Sequence, residues 1–345
     1  MSLAYLREAI PFQPSNAAEA HYDRMASQSG YCLAVIYQPF DPHKRGHFMD
    51  RAQTYDFALH ANGGRILDFG PGDGWPSLLM APFVREVVGV DGSLRRVEVC
   101  RENAARLQVA NASFVHVPPG QPLPFPEASF DAVAAASSIE QTPDPRATLA
   151  ELLRVLKPGG RLRMHYESLG CYRGQEQELS IGESGNVYAS SPITGEDCTA
   201  FYYYDRHLAE GYVDNFYWRV ALPYVEVQQL FVQHGQPMTA AGLTPAIIDA
   251  LRPALCDAWC WRTLHPSGTT WLDWLAAAGF REATATYDGG WFAHRLFDRL
   301  APSRLPNTLE ETDQLLHPLV DVVVTMETDP TAPAGEFDRW ITAVK

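Results

Sequence analysis

The sequence predicts an α/β protein built on a doubly wound, mostly parallel sheet of about seven strands, with helices on both faces and a helical lid insertion. Three observations carry the prediction. Between residues 65 and 167, strand-like runs alternate with helical ones. The strand cores "RILDF", "EVVGV" and "DAVAAA" are mostly apolar, as parallel strands covered on both faces are. The first of them runs directly into glycines at alternate positions, Gly70, Gly72 and Gly74.

Residues 1–60 read as an N-terminal helical cap near the active-site entrance. "NAAEAHYDRMASQSG" ends at Gly30 and "GHFMDRAQTYDFALHANGG" at Gly63 and Gly64, residues suited to left-handed helix termini. Residues 61–167 then read as strand "RILDFG", helix "PSLLMAPFV", strand "EVVGVD", helix "LRRVEVCRENAARLQ", strands "ASFVHV" and "FDAVAAAS", helix "PRATLAELLRVL" and strand "GRLRMHY". Asp144 and Pro145 fit a helix N-cap and first helical residue, and "KPGG" fits the stop before the last strand. Residues 168–265 break the alternation; they are rich in aromatics and hold helix-like runs, "YVEVQQLFVQHG" and "TPAIIDALRPALCDAWCW", so an aromatic-rich helical insertion is expected. Residues 266–345 return to the core with helix "GTTWLDWLAAAG", strand "FREATATYD", helical "WFAHRLFDRL", strand "VDVVVTME" and a terminal "WITAVK".

Bulk properties exclude several classes. The 345 residues carry 41 acidic and 27 basic side chains, a net charge of −14, with no basic cluster to replace counterions on a phosphate backbone, which argues against a nucleic-acid substrate. No run approaches the roughly 20 apolar residues of a membrane span, and the start of the chain lacks the pattern of a secretory leader, so a cytoplasmic protein with no membrane partner is expected. The six cysteines lack the spacing of a disulfide scaffold and read as reduced thiols. The oligomeric state is open, a homodimer included.

Glycines after a first strand let a ligand approach backbone N–H groups. The dinucleotide fingerprint requires its third glycine five positions after the first, and that position holds Trp75, so the spacing argues against a dinucleotide. Asp91, closing the second strand, is placed to accept from ribose hydroxyls. Asp68, Asp73 and Asp91 make the loops acidic, which suits a cationic ligand. A sulfonium nucleoside bearing an amino acid meets both conditions.

"ILDFGPGDG", "VVGVDGS", "PLPFPEASFDAVAAASSIEQTPDPRATLAELLRVLKPGGRL" and the late "WLDWLAAAGF" together resemble the motifs of class I S-adenosylmethionine-dependent methyltransferases, in particular the ubiquinone-biosynthesis-like small-molecule group. The resemblance is firm over about residues 60–167 and loose over 268–345. It implies a Rossmann-like core with S-adenosylmethionine as cofactor. By that likeness Asp68, Gly70, Gly72 and Gly74 contact the methionine portion, Asp91 the ribose, Gly92 and Ser93 the adenine side, and Ser137, Ser138 and Glu140 the surroundings of the methyl group, Glu140 on the substrate side. The acidic residue that commonly meets the adenine amino group is replaced by "VPPGQP", and Pro119 has no N–H, so adenine recognition passes to Gly120 and Gln121.

Other candidates come from the residues themselves. Arg161, Arg163 and His165 alternate along an otherwise core-like strand; either the insertion covers that face or they reach acidic partners. His165, Tyr166 and Glu167 end at the strand's carboxyl edge, where such sheets bind ligands, which makes Tyr166 and Glu167 substrate candidates. In the insertion, "FYYYDRHLAEGY" and "NFYWR" offer Tyr203 and Trp218 for an apolar or aromatic substrate beneath a lid. No metal site is expected: His43 and His47 lack a third ligand, and Cys256 and Cys260 read as core. Methyl transfer is a direct displacement that needs alignment and, for a protonated acceptor, a base. His207 is the first candidate base and His165 the second, imidazole being the side chain poised near neutral pH. The expected function is methylation of an O, N or C atom of a small molecule. The alternative is a noncatalytic or repurposed nucleoside-binding protein.

Overall fold

The computed structural model describes residues 3–14, 40–167, 177–181, 198–207, 211–328 and 340–345. In chain order the elements are α1 (Leu3–Ala9), β1 (Gln13–Pro14), α2 (Arg45–Leu59), β2 (Arg65–Phe69), α3 (Ser77–Met80), β3 (Glu86–Asp91), α4 (Leu94–Arg106), β4 (Ala112–His116), β5 (Phe130–Ala136), α5 (Pro145–Val155) and β6 (Leu156–His165). They continue with β7 (Gln177–Ile181), β8 (Thr199–His207), β9 (Tyr212–Val220), α6 (Tyr224–Gln233), α7 (Pro245–Leu251), β10 (Leu255–Leu264), α8 (Gly268–Ala278), β11 (Arg281–Ala285), α9 (Gly289–Arg299), α10 (Leu309–Val323) and β12 (Trp340–Val344). They form two compact units, residues 1–31 with 172–265 and residues 32–171 with 266–345.

The second unit holds a seven-stranded sheet of order β11-β12-β6-β5-β2-β3-β4, parallel from β6 to β4 and antiparallel through β12 and β11. The α/β class and the mostly parallel sheet are as the alternating pattern predicts. The chain runs from β2 outward through β3 and β4, then returns to β5 on the other side of β2, so the strand order reverses between β2 and β5. Ligands of doubly wound sheets bind above such a reversal. One face of the sheet packs Val133, Leu162 and Met164 under α5 and α8, with Leu149, Leu152, Trp271 and Leu275 buried there. Asp144 caps α5 by accepting from the N–H groups of Arg146 and Ala147, with Pro145 next, as the sequence indicates.

The opposite face explains the alternating basic residues of β6. Arg163 is fully buried and reaches an acidic partner in its own unit, Asp56 on α2, through paired 2.8 Å bonds from Nε and Nη2. It also donates to Thr286 Oγ1, to Thr342 Oγ1 at 3.0 Å and to the Tyr287 carbonyl at 2.9 Å, and its guanidinium lies over the Trp340 ring. Asp56 accepts in addition from the Gly289 N–H that opens α9.

The terminal segment departs from its expected pattern. "VDVVVTME" is not a strand; its first four residues finish α10, whose buried positions Thr312, Leu316, Val320 and Val323 keep a period near 3.6. The strand belongs to Trp340–Val344, which pairs β6. Residues 1–60 do not form one cap, since α1 and β1 lie in the first unit and α2 in the second; the first expected N-terminal helix falls outside the described residues.

The insertion is corrected more deeply. The expected helical insertion is a five-stranded sheet of order β1-β10-β9-β8-β7, carrying α6 and α7 where two of the helix-like runs stand. "FYYYDRH", "YVDNFYWRV" and "CDAWCWRTL" are strands because aromatic and β-branched side chains favour the pleated chain and here alternate between faces. Phe201, Tyr203, Phe216 and Trp218 share one face and pack with Leu6, Ile10, Val227, Phe231, Ile247 and Ile248. Cys256, expected in the core, is exposed.

Removing one partner of a buried pair strands the other charge. Arg163→Met is therefore expected to lower unfolding free energy by about 3–5 kcal/mol, read by urea unfolding, and Asp56→Leu added to it should recover part of that loss.

Candidate functional site

The carboxyl ends of β2, β3, β5 and β6 meet at the strand-order reversal, and hydrogen bonds stitch them together. Gly70 N–H donates to the Val90 carbonyl at 2.8 Å and Gly72 N–H to Asp91 at 3.2 Å. Ser138 Oγ donates to the Phe69 carbonyl at 2.5 Å, and Ser137 Oγ lies 2.8 Å from His165 Nδ1. Ser137 N–H donates to the His165 carbonyl, and Ser137 adopts a positive φ of 49°.

The three glycines have separate roles. All have positive φ, at 77°, 54° and 107°. A methyl group added at Gly70 would lie 2.4 Å from Ser138 Cβ, and one at Gly74 2.6 Å from Leu78 Cδ1, so these two are glycine for packing against the protein itself. At Gly72 such a methyl meets nothing within 4 Å. Of the three, Gly72 alone faces open space.

The sequence reading missed how the turn is held. Helix α4 clamps it with residues on one face: Arg96 pairs with Asp73, Cys100 Sγ donates to the Gly72 carbonyl at 3.1 Å, and Asn103 Nδ2 donates to the Asp73 carbonyl at 2.9 Å. The spacing 96, 100, 103 was a visible helical signal. From the other side Trp75 Nε1 donates to Asp50 on α2, and the Trp75 ring meets Phe57 edge-on at 6.0 Å. Burial pushes the Asp50 carboxyl up to about 7, against the opposing effects of the Trp75 hydrogen bond and Arg51.

Several expected roles change. Asp68 is fully buried and its Oδ2 accepts from Ser77 N–H at 3.1 Å and Ser77 Oγ at 2.6 Å, which secures the start of α3, while its Oδ1 has no hydrogen bond among the described residues. Burial pushes its carboxyl up to about 7. With Asp68 buried and Asp73 paired, the acidity read from these loops is largely internal. Ser93 caps α4, accepting from Arg96 N–H, and its own N–H donates to Asp91. Gly92 offers its carbonyl to His116 Nε2 at 3.0 Å, a partner the sequence did not suggest. Gly120, with φ 77°, and Gln121 lie in an exposed turn after β4, Gln121 N–H donating to the Pro118 carbonyl.

Glu140 is buried beside the ends of β5 and β6, where it accepts from Glu167 N–H at 2.8 Å; burial pushes its carboxyl up to about 8, so it is neutral at pH 7. Tyr166 is not a pocket wall: its ring packs on Trp271 in the core. Tyr203 and Trp218 are core residues of the first unit, Trp218 stacked on Phe201 at 4.0 Å. Strand alternation points both inward, beneath α1, α6 and α7. His207 lies at the end of β8 in the same unit, 3.3 Å from Asp214 and 3.6 Å from Asp205 and stacked on Tyr212. His165 is therefore the candidate base that stands at the sheet's carboxyl edge. His47 Nδ1 accepts from Asp41 N–H, and among the described residues no cluster suits a metal ion.

Residues 67–164 match the family model described as methyltransferase domain. An uncharacterized methyltransferase of Bacillus subtilis, YcgJ, is 36% identical over 104 residues, 30% of this chain and 41% of its own. The ubiquinone/menaquinone biosynthesis C-methyltransferase UbiE of Geobacter sulfurreducens is 38% identical over 104 residues, 29% and 41%. A 27-O-demethylrifamycin SV methyltransferase of Amycolatopsis mediterranei is 36% identical over 103 residues, 30% and 38%. The chain thus spans less than half the length of these curated relatives.

Two predictions follow from this geometry. Gly70→Ala should destabilise the fold through its clash with Ser138, whereas Gly72→Ala should keep the melting temperature within a few degrees and weaken ligand binding at the turn, a contrast that paired thermal and calorimetric titrations resolve. Asp68 has a folded pKa of about 7 against an ordinary 3.8, so the native state keeps a proton that the unfolded chain loses between them. Its contribution to stability is full below about pH 4 and declines as pH rises through about 7. Asp68→Asn, which retains an acceptor for Ser77, should melt above the parent at pH 8 and close to it at pH 5.

Proposed function

We infer from the methyltransferase domain at residues 67–164 that the chain is an S-adenosylmethionine-dependent methyltransferase acting on an O, N or C atom of a small, apolar or aromatic metabolite. The domain match carries the reading, and the open Gly72 position beside Asp91, at the sheet's strand-order reversal, supports it. The residues present fit the cofactor: backbone without side chains for the amino-acid portion, Asp91 for ribose hydroxyls, and Gly92, Gly120 and Gln121 on the adenine side. The relatives named as a ubiquinone/menaquinone biosynthesis C-methyltransferase and a 27-O-demethylrifamycin SV methyltransferase match under a third of this chain, which leaves the acceptor atom open.

The cofactor supplies an electrophilic methyl carbon for direct displacement. The chain's own part is to orient the acceptor, exclude water and take up a proton where the acceptor carries one. His165 is the proposed base, its Nδ1 2.8 Å from Ser137 Oγ, a contact that fixes the imidazole at the sheet's carboxyl edge. The neutral Glu140 carboxyl and Glu167 line the same edge as proposed substrate contacts. With no basic cluster in the sequence and among the described residues no helix long and apolar enough to cross a membrane, a small cytoplasmic acceptor is the reading we favour.

S-adenosylhomocysteine should bind and NAD should not. His165→Ala should lower kcat about 10²–10⁴-fold with S-adenosylhomocysteine affinity retained. Undiminished turnover would remove the base and leave catalysis by positioning. Absence of labelled methyl transfer to any metabolite extract, with S-adenosylhomocysteine still bound, would favour the noncatalytic reading.

A further inference from the structure

Four carboxylates surround the glycine turn. Asp68 is fully buried beneath it, accepts from Ser77 through one oxygen and keeps the other, also buried, without a hydrogen bond among the described residues, so no exposed part of it faces a ligand. Asp73 is paired with Arg96. Asp91 accepts from the N–H groups of Gly72 and Ser93, one on each oxygen, at the tip of β3. The fourth, Asp50, comes from a different element, α2, and touches the turn through one oxygen only, Oδ1 against the Trp75 indole. Its other oxygen has no hydrogen bond among the described residues, and the side chain is half-buried.

The amino-acid end of a sulfonium nucleoside carries an ammonium group as well as a carboxylate. Glycine-turn N–H groups suit the carboxylate, but a cation beside them needs an anion. We propose that Asp50 receives the α-ammonium group of the cofactor's amino-acid portion, held in place by Trp75. This rests on the cofactor reading above and assigns a binding residue outside the methyltransferase-domain segment, on the helix that precedes it.

The charges around α2 leave Asp50 to this role. On its own helix, Arg51 is bound in a fork to Asp313, Asp56 to Arg163, and His60 is held uncharged chiefly by burial. On α9, Asp298 meets His294 and, from the start of α2, Arg45; Arg295 lies over Trp291, and Arg299 ends the helix. On α10, His317 stands 3.4 Å from Asp313, and Asp321 accepts from Tyr55. Asp50 with its carboxyl near 7 would be half-protonated at neutral pH in the empty protein. Binding a cation there expels that proton to solvent, so affinity must rise with pH through about 7.

The test is calorimetric titration of the full chain with S-adenosylhomocysteine from pH 6 to 8, in two buffers of different ionisation enthalpy, with 5′-methylthioadenosine as the ligand lacking the amino-acid portion. For one group titrating near 7 the dissociation constant should be about tenfold higher at pH 6 than at pH 8, with proton release seen between buffers, and 5′-methylthioadenosine should show neither. Asp50→Asn should bind more weakly at pH 8 and lose the slope. Trp75→Phe, which removes a donor that favours the carboxylate, should move the midpoint to higher pH, and this keeps the proposal testable if Asp50→Asn does not fold. A slope that persists in Asp50→Asn would assign it to Asp68 or Glu140 and overturn the proposal, as would a flat profile in the parent or a midpoint unmoved in Trp75→Phe. Failure of S-adenosylhomocysteine to bind at any pH would overturn the cofactor reading itself, and the proposal with it.

Discussion

The core unit depends on one buried ion pair. Asp56 and Arg163 are both fully buried, and burial alone would raise the carboxyl; the guanidinium beside it, with His60, holds it below its ordinary range. A pair this deep adds little net stability over apolar packing, but it is costly to leave half-made. Its value is topological. Arg163 sits on β6, Asp56 on α2, and the remaining donors reach Thr342 on β12 and Thr286 and Tyr287 after β11, while Gly289 at the start of α9 uses the same carboxylate. Segments more than 200 residues apart thus share one charge centre, and a shifted register on β6 would leave it unpaired.

That centre fixes where α2 lies, and α2 in turn fixes one side of the glycine turn. Asp50 stands six residues before Asp56 on the same helix, and Phe57 follows it; together these hold the Trp75 indole. The other side is held by Arg96, Cys100 and Asn103 of α4. The turn is clamped between two helices before any ligand arrives, so little ordering remains to oppose binding.

Much of the core was legible because its signals are local. Apolar runs, the alternate glycines, Asp91 at a strand tip and Asp144–Pro145 at a helix start each act over a few residues. The failures share a different cause. "VDVVVTME" has strand composition but continues a helical period set by Thr312 and Leu316, and tertiary burial decided between them. The aromatic insertion was read for composition when its alternation carried the information: Phe201 and Tyr203 are buried together while Tyr202 and Tyr204 take the other face. Asp68 and Asp73 read as loop acidity suited to a cationic ligand because sequence shows charge but not partners; Ser77 and Arg96 meet them only in space.

The position of Trp75 joins these threads. As a sequence feature it is an absence, a missing glycine that argues against a dinucleotide. In the structure the bulky residue has a positive use, since glycine there could neither donate to Asp50 nor meet Phe57. A dinucleotide turn uses its third glycine to bring helix and strand together around a pyrophosphate. Here the following helix is only four residues long, too short to offer much of a dipole to phosphate, and the indole ties the turn to a carboxylate instead. Tryptophan at this position therefore sets a carboxylate beside N–H groups that suit an anion, a pairing that matches the zwitterionic end of an amino acid and not a pyrophosphate.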